Sequence, residues 1–218
     1  MEGAVADKIL APLNGLPAFA HSVRAFIDSR IVDRLTVVYR DEAQKAQLQN
    51  ALILIDLNGK PIDWVTGGSE RQDSVYNALQ SQPADCAYVY IHDCARPLIS
   101  IDALQALQTA VQRDRAAVLA HPVSDTIKRV PATGELVQTS LDDLDRKRLW
   151  AMETPQAFAY PEILTAYAHV HKQGLHITDD TAAAATIGLK ITIVPNASPN
   201  PKLTTPADLD YAECLLKR

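Results

Sequence analysis

The sequence predicts an α/β fold built on a mostly parallel sheet, and three observations carry that prediction. Short β-branched or aromatic runs alternate with helical runs along most of the chain. The run CAYVYIHD (86–93) is apolar on both faces, as a strand covered by helices on each side has to be. It then stops in His92-Asp93-Cys94-Ala95-Arg96-Pro97, which sets an acid, a base and a guanidinium at the carboxyl end of a strand. Such a rhythm implies βαβ units with right-handed crossovers. Ligands of these sheets sit outside the carboxyl ends of the strands.

Taken in order, AFAHSVRAFIDS (18–29) has apolar residues at helical spacing and predicts a helix. RLTVVYR (34–40) is short and β-branched, a strand. DEAQKAQLQNAL (41–52) opens with acids, which suits a helix amino terminus. IDWVTGG (62–68) is a strand closed by a Gly-Gly break, and SERQDSVYNALQSQ (69–82) a helix with Ser69 as its cap. After the central strand come a helix at 101–113 and a strand at 116–123. The rhythm then breaks. Residues 124–150 predict two short extended pieces about a Pro131-Ala132-Thr133-Gly134 turn, too polar to stand alone, so a partner subunit is the expected support. Helices at 161–174, 178–188 and 206–218 and a strand at 189–195 complete the chain.

The 218 residues suit one domain, numbered 1–218 throughout, and 47% hydrophobic residues suffice for a sizeable core. A net charge of -5 without a long basic run argues against a nucleic-acid polymer as partner. Cys86, Cys94 and Cys214 are widely spaced and form no metal-type pair, which points to a reduced, cytoplasmic setting. No apolar stretch approaches the roughly 18 residues of a membrane span. The opening MEGAVADKIL lacks the pattern of an export signal.

Asp93 leads the candidate residues. A carboxylate at a strand end suits a hard cation such as magnesium, which takes few protein ligands and several phosphate oxygens. Arg96 could hold a phosphate in a fork. The local pattern equally allows Asp93 to cap a turn with Arg96 paired to it. GGSERQDS (67–74) is a glycine turn leading into a helix, whose amides could cradle a base or phosphate, though any βα turn can carry Gly and Ser. Lys8, Lys128, Arg146 and Lys202 each read, singly, as solvated cations. His92 reads as a base or, more often at a buried strand end, as a hydrogen-bonded structural group. ETPQAF (153–158) and PNPKLTTPADL (199–209) read as polar turns.

Read together, LNGLPAFAHSVRAF, GGSERQDSV, YIHDCARP, DTIKR, LDRKRLWAMETPQAF, ITDD and PKLTTPADL span residues 13 to 209. In that order they resemble the 2-C-methyl-D-erythritol 4-phosphate cytidylyltransferases. The resemblance implies a Rossmann-like nucleotidyltransferase fold with a protruding β-arm at 124–148 through which the protein forms a homodimer. It implies transfer of CMP from CTP to methylerythritol phosphate with release of pyrophosphate. It assigns Mg2+ to Asp93 with Arg96 beside it, and cytosine and ribose to Gly67, Gly68 and Ser74. Lys8 and Lys202 would stabilise charge on the α-phosphate, and Arg146 would also act in catalysis. Thr126, Arg146, Thr154 and Thr178 would bind the sugar phosphate, the first two from a neighbouring subunit. Two other functions share much of the pattern: a ribitol- or glycerol-phosphate cytidylyltransferase, and an inactive dimer partner lending arm residues to a complete subunit. The family opens with a strand and a glycine-rich loop of the form A-A-G-x-G-x-R-M, and Met1 here aligns with the last Met, so that strand, loop and arginine are expected to be absent. SPNPK (198–202) also lacks the acid the family often has before the asparagine, which leaves a second metal carboxylate unassigned.

Overall fold

The computed structural model describes residues 7–133 and 136–217. Gly134 of the expected arm turn lies outside them, as do residues 1–6. A two-residue hairpin, β1 (Pro12–Leu13) and β2 (Leu16–Pro17), turns through Asn14 and Gly15, both at positive φ (45° and 84°). Those angles suit Asn-Gly because neither residue is heavily penalised in the left-handed region. Next come α1 (Ala18–Ser29), β3 (Leu35–Tyr39), α2 (Glu42–Leu52) and β4 (Ile62–Thr66), followed by α3 (Arg71–Gln80) and β5 (Tyr88–Ile91). Then follow α4 (Ile101–Asp114), β6 (Ala116–Pro122), the arm strands β7 (Lys128–Arg129) and β8 (Asp142–Asp143), and β9 (Trp150–Ala159). The chain ends with α5 (Tyr160–Gln173), α6 (Asp180–Ala185), β10 (Thr192–Pro195) and α7 (Pro206–Leu216).

Helix starts follow the expected chemistry. Asp41 accepts from Gln44 N (2.8 Å) to cap α2, and Ser100 accepts from Ala103 N (3.2 Å) to cap α4. The cap of α3 differs from expectation. It is Glu70, not Ser69, because Asp73 reaches back to Glu70 N (3.1 Å) while the Ser69 hydroxyl donates to the same carboxylate (2.6 Å).

The sheet is mixed rather than mostly parallel. β6 and β10 pair parallel, but β9 lies antiparallel between β5 and β6. The sequence ETPQAF, expected as a turn, is part of that ten-residue strand, and seven of its ten residues are buried. β5 is therefore not a central parallel strand. It pairs antiparallel with β9 and, among the described strands, with no other.

Both faces of β6 and β9 are covered, and alternate residues show it. Ala117, Leu119 and Ala157 join Phe26 of α1 and Leu104, Leu107 and Val111 of α4. Ala116 and Phe158 face the other way, onto α5 and α6. β3 and β4 form a separate parallel pair. Between the facing edges of β3 and β5 lies a cavity of about 960 Å³, flanked by Phe19 and Phe26 of α1 and Val75 and Leu79 of α3. The arm strands are exposed, and so are Ile127, Val130, Leu136, Val137 and Leu141 around them.

Phe158 is fully buried on β9 against α5 and α6. Phe158→Ala is expected to cost about 3–5 kcal/mol. Urea unfolding should read this as a lower midpoint at unchanged slope.

Candidate functional site

The site forms where β5 ends. After Ile91 the chain turns, and Arg96 N donates to Asp93 O (2.9 Å). Thr154, buried on the adjacent strand β9, fastens this turn. Its hydroxyl oxygen accepts from Asp93 N (3.0 Å), and the hydroxyl lies 3.1 Å from His92 Nδ1. With Asp93 N already donating to that oxygen, the hydroxyl proton points to Nδ1. The pattern thus assigns the other tautomer proton to Nε2, which donates to Arg96 O (3.1 Å). His92 is a neutral structural group here. Burial pushes its pKa down to about 4, against the smaller upward pull of the Arg96 carbonyl.

Asp93 is surrounded by cations. Lys202 Nζ stands 2.8 Å from Oδ2, and Arg71 Nε 3.4 Å from Oδ1. Burial alone would raise the Asp93 pKa. The Lys202 hydrogen bond and the charges of Arg71 and Lys202 outweigh it and hold the carboxyl below its ordinary range. Arg71 is itself fixed from behind. Its two terminal nitrogens fork onto Asp180 (3.0 and 2.8 Å), a fully buried carboxylate that also accepts from the Tyr167 hydroxyl (2.5 Å). Arg71, Asp180 and Tyr167 were not legible as a unit, since they lie on three different helices.

Arg96 Nη1 donates to Asn200 O (2.7 Å), which ties the segment carrying Lys202 to the same strand end. The glycine turn lies on β4–α3. Gly67 N donates to Tyr39 O (2.8 Å) and Gly68 N to Ser74 Oγ (3.0 Å). A Cβ on Gly68 would fall 2.3 Å from Asp73 Cβ, so only glycine fits there. Ser74, Arg71 and Asp93 all line the cavity beside β5.

Asp93, Arg96, Thr154 and Lys202 are thus brought together, with the Gly67–Ser74 turn across the cavity. Lys8 is exposed on a short 3₁₀ turn whose neighbour Ile9 packs with Ala95 and Leu203. No ion pair of Lys8 occurs among the described residues. Thr126 and Arg146 lie on the exposed arm, where Arg146 Nη1 donates to Ser124 O (2.6 Å). Thr178 is exposed just before Asp179, the cap of α6.

No cluster of three or more His, Cys, Asp or Glu suited to a metal occurs among the described residues. A cation caged wholly by protein does not fit. Asp93 offers one carboxylate at the strand end. A single carboxylate fits a hard cation held mostly by a ligand's phosphate oxygens.

A family model described as 2-C-methyl-D-erythritol 4-phosphate cytidylyltransferase matches residues 2–218. A protein of that name from a Synechococcus strain is 38% identical over 218 residues, covering 99% of this chain and 90% of its own length. Another, from Dictyoglomus thermophilum, is 34% identical, covering 97% of this chain and 90% of its own. Among solved structures, 2-C-methyl-D-erythritol 4-phosphate cytidylyltransferase from Thermus thermophilus superposes with a TM-score of 0.79 at 25% identity, covering 99% of this chain and 96% of that one. The 4-diphosphocytidyl-2C-methyl-D-erythritol synthase of Anaerococcus prevotii shares the fold, with a TM-score of 0.84 at 22% identity over 95% of this chain and 88% of that one.

The lowered His92 pKa links stability to pH. An unfolded histidine near 6.5 takes a proton that the folded one resists until about 4. The unfolded state then binds more protons, so this contribution is present above pH 6.5 and lost as pH falls towards 4. His92→Gln should flatten the fall in melting temperature between pH 7 and 5 relative to the parent chain. Parallel pH curves would assign the acid sensitivity elsewhere.

Proposed function

This chain belongs to the 2-C-methyl-D-erythritol 4-phosphate cytidylyltransferase family, and on that footing we propose how the site at the end of β5 performs the family's reaction. The enzyme transfers CMP from CTP to 2-C-methyl-D-erythritol 4-phosphate, giving 4-diphosphocytidyl-2-C-methyl-D-erythritol and pyrophosphate. The family match over residues 2–218 favours this substrate over ribitol or glycerol phosphate. The observation that carries the site assignment is the convergence of Lys202 and Arg71 on Asp93 at a strand's carboxyl end.

An oxygen of the sugar phosphate attacks the α-phosphorus of CTP. The bond to the bridging oxygen breaks, and that oxygen leaves with pyrophosphate. Two polyanions must meet, so the protein's work is positioning and neutralisation. Lys202 turns its ammonium from Asp93 to the α-phosphate as nucleotide enters, and Lys8 adds a second charge from the adjacent turn. Arg71 stays on Asp180 and contributes a fixed positive field. Arg96 keeps the Asn200–Lys202 segment against the strand end and faces the nucleotide phosphates. A magnesium ion on Asp93, when bound, supplies further positive charge to the phosphate oxygens. Gly67, Gly68 and Ser74 receive cytosine and ribose, supported by the close packing that only glycine permits at 68. Thr154 serves the pocket by holding Asp93, since its hydroxyl is already bonded within the protein.

Thr178 lies beside the sugar-phosphate end, and Thr126 and Arg146 reach it from the arm of a second subunit. The homodimer is supported by the arm's exposed apolar residues, with Leu136 at 79% and Val137 at 74% exposure. No helix among the described residues is long and apolar enough to cross a membrane. Its three unpaired cysteines support work in the cytoplasm.

Asp93→Asn is expected to keep the fold and lose on the order of 100-fold or more in turnover at any magnesium concentration, measured by pyrophosphate release. Near-parental turnover would make Asp93 a turn cap. Arg146→Ala should raise KM for the sugar phosphate far more than for CTP. Mixing it with Asp93→Asn should restore activity through dimers holding one intact composite site. If subunits exchange and nothing returns, the shared site is wrong.

A further inference from the structure

Glu153 is only 3% exposed, a carboxylate on a central strand near the charge of Arg96 but with no lysine or arginine among its hydrogen-bond or ion-pair partners in the described residues. Such a group is costly to bury unless donors converge on it. Three do. Oε1 accepts from His121 Nδ1 (2.7 Å), and Oε2 accepts from Asn196 Nδ2 (2.9 Å) and Asn200 Nδ2 (2.8 Å). The two asparagines bracket the segment after β10. That segment has no regular structure of its own and carries Lys202 to Asp93. Among the described residues its backbone N–H groups are tied to the rest of the fold near its ends, by Asn196 N to Ala120 O (2.8 Å) and Leu203 N to Ala95 O (2.7 Å). Between those points its direct ties to the sheet are side-chain bonds: two from Asn200, to Glu153 and to Thr154 O (3.0 Å), and one from Arg96.

We infer that Glu153 is a positioning residue for the transfer reaction, acting through Asn196 and Asn200 to hold Lys202 in register with Asp93. The inference rests on the reading of Lys202 and Asp93 given above. Its Oε2 is the one acceptor that both asparagine amides share. An amide could keep that oxygen in place and turn its N–H to His121, so the change that removes the acceptor at similar size is Glu153→Leu. The segment then shifts, and a misplacement of about 1 Å at a charge-stabilising group costs on the order of 100-fold. His121 is different. It bonds the other oxygen, is half exposed, and has no hydrogen bond or ion pair to the 196–202 segment among the described residues.

The test compares Glu153→Leu, Asn196→Ala, His121→Ala and Lys202→Ala, with the Glu153→Leu/Lys202→Ala double variant, in the full chain. Glu153→Leu should lower kcat by about 10- to 100-fold, with KM for CTP and sugar phosphate moving less than about threefold. Asn196→Ala, the milder change, should lower it in the same direction, and His121→Ala should leave it near parental. In the Lys202→Ala background, Glu153→Leu should cost almost nothing more, because the group it positions is already gone. Hydrogen exchange at the Leu203 amide should quicken in Glu153→Leu, which reports the segment whether or not Lys202 is catalytic. Full additivity with Lys202→Ala, an unchanged kcat, or unchanged exchange at Leu203 would each overturn the assignment. Lys202→Ala at parental turnover would instead overturn the catalytic reading of Lys202, with the exchange result still deciding what Glu153 holds.

Discussion

Strand β9 has to bury Glu153, Thr154 and Gln156 and still satisfy them, and the site is the consequence. Buried polar groups go unpaired only at a cost of about 1–3 kcal/mol each. On an antiparallel strand enclosed by β5 and β6, most of the partners come from loops at its ends, with His121 of β6 the exception. Thr154 takes the Asp93 turn. Glu153 takes the segment after β10. Gln156 donates to Asp179 (2.9 Å) and accepts from Thr181 N (2.9 Å), which seats the start of α6 and with it Asp180. Asp93, Lys202 and Asp180 thus reach one place because three polar demands within four residues of one strand draw them there.

The electrostatics follow from that seating. A chain of net charge -5 concentrates Arg71, Arg96 and Lys202 around one partly buried acid. The two ion pairs of Asp93 are unequal. Arg71 spends its fork on Asp180, where desolvation is complete and the geometry bidentate, so it is a fixed charge. Lys202 makes one ion pair among the described residues, is nearly half exposed, and is a point charge on a flexible stem. A polyanion arriving at this strand end competes with Asp93 for Lys202 at little cost and leaves Arg71 undisturbed. The division between a fixed and a movable cation suits a site that must both recognise phosphates and follow charge as it shifts.

The sequence made the helices plain because their signals were local: the acids opening 41–52 and the α1 stripe each announced an element within a few residues. It also made the HDCARP strand end plain, because an acid, a base and a guanidinium after four apolar residues have no packing purpose. β9 was hidden for a matching reason. Its middle reads Glu-Thr-Pro-Gln, residues that favour turns when solvated, and only the loops folded around them make a strand of it. The same blindness hid Arg71 and Glu153, whose partners lie 109 and 47 residues away in Asp180 and Asn200. Tertiary hydrogen-bond demand leaves no short-range pattern. The placement of 86–93 in the sheet failed likewise: apolar faces signalled burial by helices, but could not say which strands lay beside it.

The two halves of the site stand on different sheets, and this sets how firmly their spacing is held. The Gly67–Gly68 turn belongs to the β3–β4 pair, while Asp93 and Lys202 belong to the four-stranded sheet. Across the cavity between β3 and β5, no ladder of backbone bonds joins the described strands. Helix α1 spans the gap, with Phe26 in the cluster under the large sheet and Phe19, Val23 and Ile27 in the cluster under the small one. Apolar packing of this kind fixes a contact but tolerates small sliding better than a ladder does, because it is not directional. Arg71 is a directional tie, beside Gln72, which bonds Leu175 O and Ile177 N. Arg71 begins α3 immediately after the glycine turn and ends on Asp180 and Asp93, across the junction. Its ion pairs therefore do two things at once. They neutralise the acid that faces the phosphates, and they set the distance between the turn assigned to the base and the strand end assigned to the phosphates.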